Sequence, residues 1–201
     1  MHISEGVLSP AILGCGAALA VAGVALGLRK VDYSHLLTVA VLSSAFFVGS
    51  LVHVPLGPGS VHLILNGLLG LFLGWGVFPA LFVALLLQAV LFQFGGIAVL
   101  GVNVVIMAFP ALLCHYAFRP LFSGPESRLA FAGFCCGAFS VAGAAFITAL
   151  ALSFSNEGFW ASAKILFFAH LPIIGIEGVI TALAVSFVAK VRPELLAFAR
   201  Q

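Results

Sequence analysis

The chain begins Met1-His2-Ile3, and its first two residues carry three nitrogens that one metal ion can bind together. The α-amine of Met1 and the amide nitrogen of His2 close a five-membered chelate ring. That amide and Nδ1 of the His2 imidazole close a six-membered one. One more imidazole would complete four nitrogens in a plane, a geometry that suits Ni(II) or Cu(II) rather than zinc, magnesium or calcium. The amine and the amide must each lose a proton to bind, so acid should weaken the complex steeply. The scheme needs an open terminus at Met1. Histidine is too large a second residue for ordinary removal of an initiator methionine, and MHISEGVLSP lacks the basic region of a cleaved signal peptide.

His62 is the best candidate for the fourth nitrogen. It follows Gly57, Pro58 and Gly59 in GPGSVHLILNG, where a turn is expected to deliver it to the start of a short helix. His53, across that turn, is either an outer partner of the site or an alternative ligand. The stretch FQFGGIAVLGVN has adjacent glycines that permit a re-entrant, non-helical backbone, and Asn103 within it could orient a ligating histidine.

Glu177 is the one carboxylate inside an apolar run, and such a residue is a candidate for function by default. It follows His170 by seven residues, so both can face one side of a helix past Pro172. Either residue can equally be an internally bonded polar group, with Asn66, Gln88 or Thr181 as partners for Glu177. His35 and His115 lie near helix ends, where solvated or capping roles are ordinary. Cys15, Cys114, Cys135 and Cys136 sit in apolar runs without a CxxC pair and are expected to pack. No HExxH, P-loop or GxSxG stretch is present, so hydrolytic and nucleotide chemistry lack their usual cues.

The elements that must position these groups are membrane helices. Of 201 residues 63% are hydrophobic and 7% charged, with mean hydropathy +1.28, whereas a soluble domain carries roughly 25% charged residues. The apolar runs are continuous rather than alternating, which excludes a transmembrane barrel. They lie near residues 8–28, 35–54, 61–74, 77–93, 100–118, 129–152 and 167–189, the third being short for a full span. Seven spans from an outside N-terminus put Arg29, Lys30, Arg119, Arg128, Lys190, Arg192 and Arg200 on one side and only Lys164 on the other. That asymmetry predicts a cytoplasmic C-terminus. It also gathers residue 2, the 53–62 segment and the FGG link on the outer face. The chain is therefore expected to be a single all-α, polytopic membrane domain spanning residues 1–201.

Four separated blocks, MHISEGVLSP, GPGSVHL, LLLQAVLFQFGGIAVLGVNVVIMA and HLPIIGIEGVITA, resemble those of the CbiM/NikM family. Members of that family are the substrate-capturing membrane subunits of energy-coupling-factor (ECF) transporters for cobalt and nickel. The resemblance implies a transport subunit of the prokaryotic cytoplasmic membrane, without an enzymatic step of its own. It implies Ni(II) or Co(II) as cargo, with ligands at Met1 (α-amine), His2 (amide and imidazole) and His62 (imidazole). It further implies a transmembrane coupling subunit, two cytoplasmic ATPase subunits and often a small accessory membrane subunit as partners. Where many relatives read Gly-Gly-Thr-Ser-Gly-His, this chain has Gly57-Pro58-Gly59-Ser60-Val61-His62.

Three other readings fit parts of the pattern. An S-component for an organic vitamin would use the histidines as pocket lining. An intramembrane zinc enzyme would gather His53, His62, His170 and Glu177. A purely structural membrane subunit would bind no ligand.

Overall fold

A backbone in lipid has no water to bond, so long apolar segments satisfy their own N–H and C=O groups as helices. A computed structural model describes residues 2–32, 34, 36–51, 53–56, 59–123, 126–155, 160–193 and 195. Its helices are α1 (Pro10–Lys30), α2 (Leu36–Gly49), α3 (Asn66–Leu73), α4 (Val77–Phe92), α5 (Leu100–Phe118), α6 (Glu126–Ser155), α7 (Trp160–Ala169) and α8 (Leu171–Val191). Short 3₁₀ turns at Gly74–Gly76 and Arg119–Ser123 lead into α4 and out of α5. Five segments are long and apolar enough to cross a membrane: Pro10–Lys30, Asn66–Phe92, Leu100–Phe122, Arg128–Ser155 and Lys164–Val191. The apolar helix Leu36–Gly49 is shorter. The chain is thus a multi-pass membrane protein with a helical body, as its composition requires.

Side-chain pairs fix the directions of the helices. Asn66 bonds the Met107 carbonyl and His115 bonds the Leu71 carbonyl, so α3 runs alongside α5 in the same sense. Gly16 of α1 meets Val102 near the start of α5, whereas Gly23 and Gly27, further along α1, meet Phe78 and Pro79 near the start of α4, so α4 and α5, joined by the link Gln93–Val99, run in opposite senses. The chain therefore reverses at Gly74–Gly76, where Gly74 adopts φ +51°. Lys30, at the end of α1, lies 4.7 Å from the Trp75 ring in this reversal. Glycines let the helices approach closely, as lipid-embedded helices must in order to gain packing contacts. Gly133 and Gly137 of α6 face the α8 backbone at Ala182 and Glu177, so these two helices run antiparallel.

The outward surface carries Leu19, Leu37, Phe131, Phe146, Leu183 and Phe187, all exposed and apolar, as a lipid-facing belt demands. The interior is also apolar, with Phe46, Ile64, Leu69, Leu81, Ile106 and Met107 buried.

Three elements depart from the sequence expectation. The run near 35–54 forms a helix only over Leu36–Gly49, and residues His53–Leu56 form a strand, β2. His62 does not open a helix but ends a second strand, β3 (Gly59–His62), and α3 begins only at Asn66. Trp160–Ala169, most of it between the runs near 129–152 and 167–189, is a separate helix, α7, parted from α8 at His170.

Candidate metal centre

The N-terminal segment forms the smallest element of the fold. His2–Ile3 is a strand, β1, in a three-stranded antiparallel sheet of order β1-β3-β2. Its register pairs His2 with Ser60 and Ile3 with Gly59, while β2 pairs His53 with His62 and Pro55 with Ser60. Pro55 is tolerated because β2 is an edge strand. Since strand positions alternate between faces, positions 2, 53, 60 and 62 share one face of the sheet. Met1 and His35 lie outside the described residues.

A two-residue strand has little stability of its own, and other groups fasten it. Asn103 receives the Ile3 N–H on Oδ1 at 3.0 Å and donates its amide to the Ile3 carbonyl at 3.2 Å. Ile3 itself is buried in the main core. Glu5 donates its N–H to the Gly95 carbonyl at 3.1 Å and accepts the Ala98 N–H on Oε1 at 2.8 Å. The Ser9 N–H reaches Ser155 Oγ at 3.2 Å. Residues 3–9 are thereby tied to the α4–α5 link, to α5 and to the end of α6.

His62 is buried, and its Nδ1 lies 2.8 Å from the Leu63 carbonyl. A carbonyl only accepts, so Nδ1 carries the proton and Nε2 holds the ring's lone pair, the nitrogen that can ligate. Beyond His62 the chain bends sharply, with Leu65 at φ +52° before α3. Glu177 secures the bend: its carboxylate accepts the N–H groups of Ile64 and Leu65, the latter at 2.9 and 3.0 Å on its two oxygens.

Several sequence-level expectations are corrected by these contacts. Asn103 belongs to the first turn of α5 rather than to a re-entrant segment, and it bonds the Ile3 backbone, not a histidine ring. The non-helical stretch is Gln93–Val99, with Gly95 and Gly96 at φ +76° and +114°. Glu177 takes backbone N–H groups, not Asn66, Gln88 or Thr181. Asn66 donates to Met107, while Gln88 donates to Ser50 Oγ and the Phe47 carbonyl. His115 is buried and meets the Leu71 carbonyl at 3.0 Å, capping the last turn of α3. His170 is fully buried, with Nδ1 2.7 Å from the Leu166 carbonyl and Nε2 without a hydrogen-bond partner among the described residues. Among the described residues no three His, Cys, Asp or Glu side chains gather as metal ligands, His62, His170 and Glu177 included; the side chain of His53, the fourth member of the zinc expectation, lies outside what is described. Sequence reasoning missed Glu5, whose partners at Gly95 and Ala98 lie far away along the chain.

Known proteins share this architecture. A family model described as "Cobalt uptake substrate-specific transmembrane region" matches residues 2–195. A protein of Haemophilus influenzae described as a metal transport protein is 44% identical over 98% of this chain and 97% of its own length. A Sorangium cellulosum protein described as "Cobalt transport protein CbiM" is 31% identical over 98% of this chain and 94% of its own. The crystal structure of a transition metal transporter superposes with a TM-score of 0.84 at 30% identity, covering 99% of this chain and 98% of that one. A transporter family, not an enzyme family, accounts for the whole length. With its multi-pass helical body and a strapped N-terminal strand beside His62, the chain belongs to the CbiM family of cobalt-uptake substrate-specific transmembrane proteins.

Proposed function

We propose that this chain is the substrate-capturing subunit of an ECF-type importer of Ni(II) or Co(II). The ion is held by the Met1 α-amine, the His2 amide nitrogen and imidazole, and Nε2 of His62. The carrying observation is the sheet register: β1 starts at His2 and lies against β3, which ends at His62 two positions beyond His2's partner Ser60. The Nδ1 contact of His62 with the Leu63 carbonyl supports the same reading, because it favours the tautomer whose lone pair is on Nε2.

Seven membrane-crossing segments, with α3 and α4 as separate passes joined at Gly74–Gly76, fit the reversal of direction there. The N-terminus then faces outward and the C-terminus the cytoplasm of a prokaryotic cell, as the Lys and Arg distribution favours. The chain captures the ion from outside. A transmembrane coupling subunit, two ATPase subunits and often a small accessory membrane subunit drive its release inward. Planar nitrogen ligation favours nickel over cobalt on chemical grounds.

The test is metal analysis and absorption spectroscopy on the purified chain and on a form with one residue added before Met1. One ion per chain with a planar nickel band, lost on extension, in His2→Ala and in His62→Ala, is expected. Unchanged stoichiometry in the extended form would overturn the site. Vitamin capture that survives His2→Ala would favour the organic-ligand alternative.

A further inference from the structure

Glu177 is the one carboxylate among the described buried residues, and no lysine or arginine is buried with it. A buried charge is costly unless hydrogen-bonded or paired. Among the described residues, the groups that hydrogen-bond the Glu177 carboxylate are N–H donors, from Ile64 and Leu65. A carboxylate accepts two such donors readily, whereas a protonated carboxyl would need an acceptor for its own O–H. The two donors are the second and third residues after His62, in the bend that holds Leu65 at φ +52°. That left-handed conformation is unfavourable for leucine and persists only where its surroundings impose it.

The bend is also where three helices converge. A Cβ on Gly67 of α3 would meet Gly137 Cα of α6 at 2.6 Å, and one on Gly137 would meet the Glu177 carbonyl of α8 at 2.6 Å. The backbones of α3 and α6, and of α6 and α8, thus pack in direct contact there. The Glu177 side chain then carries the position of α8 directly into the backbone that presents His62.

We propose that Glu177 is a positioning residue for the metal site: its carboxylate, reaching from α8, fixes the bend after His62 and so sets where the fourth ligand stands. The proposal rests on the site described under Proposed function. It makes α8 the element through which a displacement of the helical body changes metal affinity. The chelate from Met1 and His2 is left whole, and only the His62 arm is loosened.

The experiment is nickel titration with absorption spectroscopy on the full chain. Glu177→Gln keeps the shape and one acceptor oxygen for the two N–H donors, but it removes the negative charge and sets an NH₂ group where Oε2 meets the Leu65 N–H. It is expected to weaken binding about 10- to 100-fold, the usual cost of removing an outer support of a metal ligand. The band should shift toward the spectrum of His62→Ala. Glu177→Asp, which keeps the charge, should recover part of the affinity. Thr181→Val, one turn further on α8 and equally buried, should bind as the unmodified chain does. The decisive arm is additivity: if Glu177 acts through His62, the double variant His62→Ala/Glu177→Gln binds as His62→Ala alone. Wild-type affinity and spectrum in Glu177→Gln, or a further full loss in the double variant, overturns the proposal. If Glu177→Gln fails to fold, full wild-type affinity and spectrum in Glu177→Asp with the Ile64 and Leu65 amides exchanging freely does so instead. Failure of the site itself is distinct, because it would appear as nickel binding that survives extension before Met1.

Discussion

Asn103 holds Ile3 from both directions, accepting its N–H at 3.0 Å and donating to its carbonyl at 3.2 Å. The pair is buried, so neither backbone group has water to fall back on. Asn103→Ala therefore leaves two unsatisfied polar groups, each costing about 1–3 kcal/mol. Thermal unfolding in detergent should show that loss, and nickel affinity should fall with it because β1 carries His2. Asn103→Asp can still accept but no longer donate, and its melting temperature should lie below that of the unmodified chain. A melting temperature unchanged in both variants would show that β1 is held by other contacts.

Proton release offers a second measurement. Between pH ~6.5 and ~8 a free imidazole is mostly neutral while a free α-amine is still mostly protonated. With the proposed ligands, binding in that window displaces about two protons per ion, one from the amine and one from the amide. Affinity therefore rises with pH, by about two decades per unit there and about one above the amine pKa of ~8. Calorimetry in buffers of different ionisation enthalpy counts those protons. Release of none would exclude the amide as a ligand.

Much of the helical body was legible because its apolar runs are long and end in basic or turn-forming residues, as at Arg29-Lys30 and Arg119-Pro120. The sheet was not. Its strands β2 and β3 have four residues each, too few for a period to show, and His53-Val-Pro-Leu reads as the tail of the preceding apolar run. The three nitrogens at residues 1 and 2 could be read from covalent chemistry alone, since chelate rings do not depend on fold. The roles of Glu5, Asn103 and Glu177 could not. Each binds backbone N–H groups far away in sequence, and a backbone amide leaves no mark in the sequence of its partner.

Gly96 provides a third test. At φ +114° only glycine is comfortable, and a Cβ there would run into the Glu5 carboxylate. Gly96→Ala should break the Glu5–Ala98 bond and cost about 1–3 kcal/mol in backbone strain. Hydrogen exchange at the Ala98 amide should accelerate, with the exchange of α6 amides unchanged. An unchanged Ala98 rate would mean that Glu5 does not secure the link.

Two glycine-to-alanine changes in neighbouring helices should have opposite signs. At Gly175 of α8 a Cβ meets nothing within 4 Å, so Gly175→Ala gains only the lower backbone entropy of alanine in a helix, about 0.5–1 kcal/mol. At Gly137 of α6 a Cβ would stand 2.6 Å from the Glu177 carbonyl, 2.6 Å from Thr181 Oγ1 and 2.9 Å from Thr181 Cβ. A backbone carbonyl cannot rotate away as a long side chain can. Gly137→Ala must therefore push α8 off α6, at a cost of about 1–3 kcal/mol for an overpacked core. Thermal unfolding in one detergent should raise the midpoint for the first variant and lower it for the second. Because the same shift displaces Glu177, nickel affinity should fall in Gly137→Ala and stay level in Gly175→Ala. Equal affinities in the two would show that the spacing of α6 and α8 has no hold on the metal site.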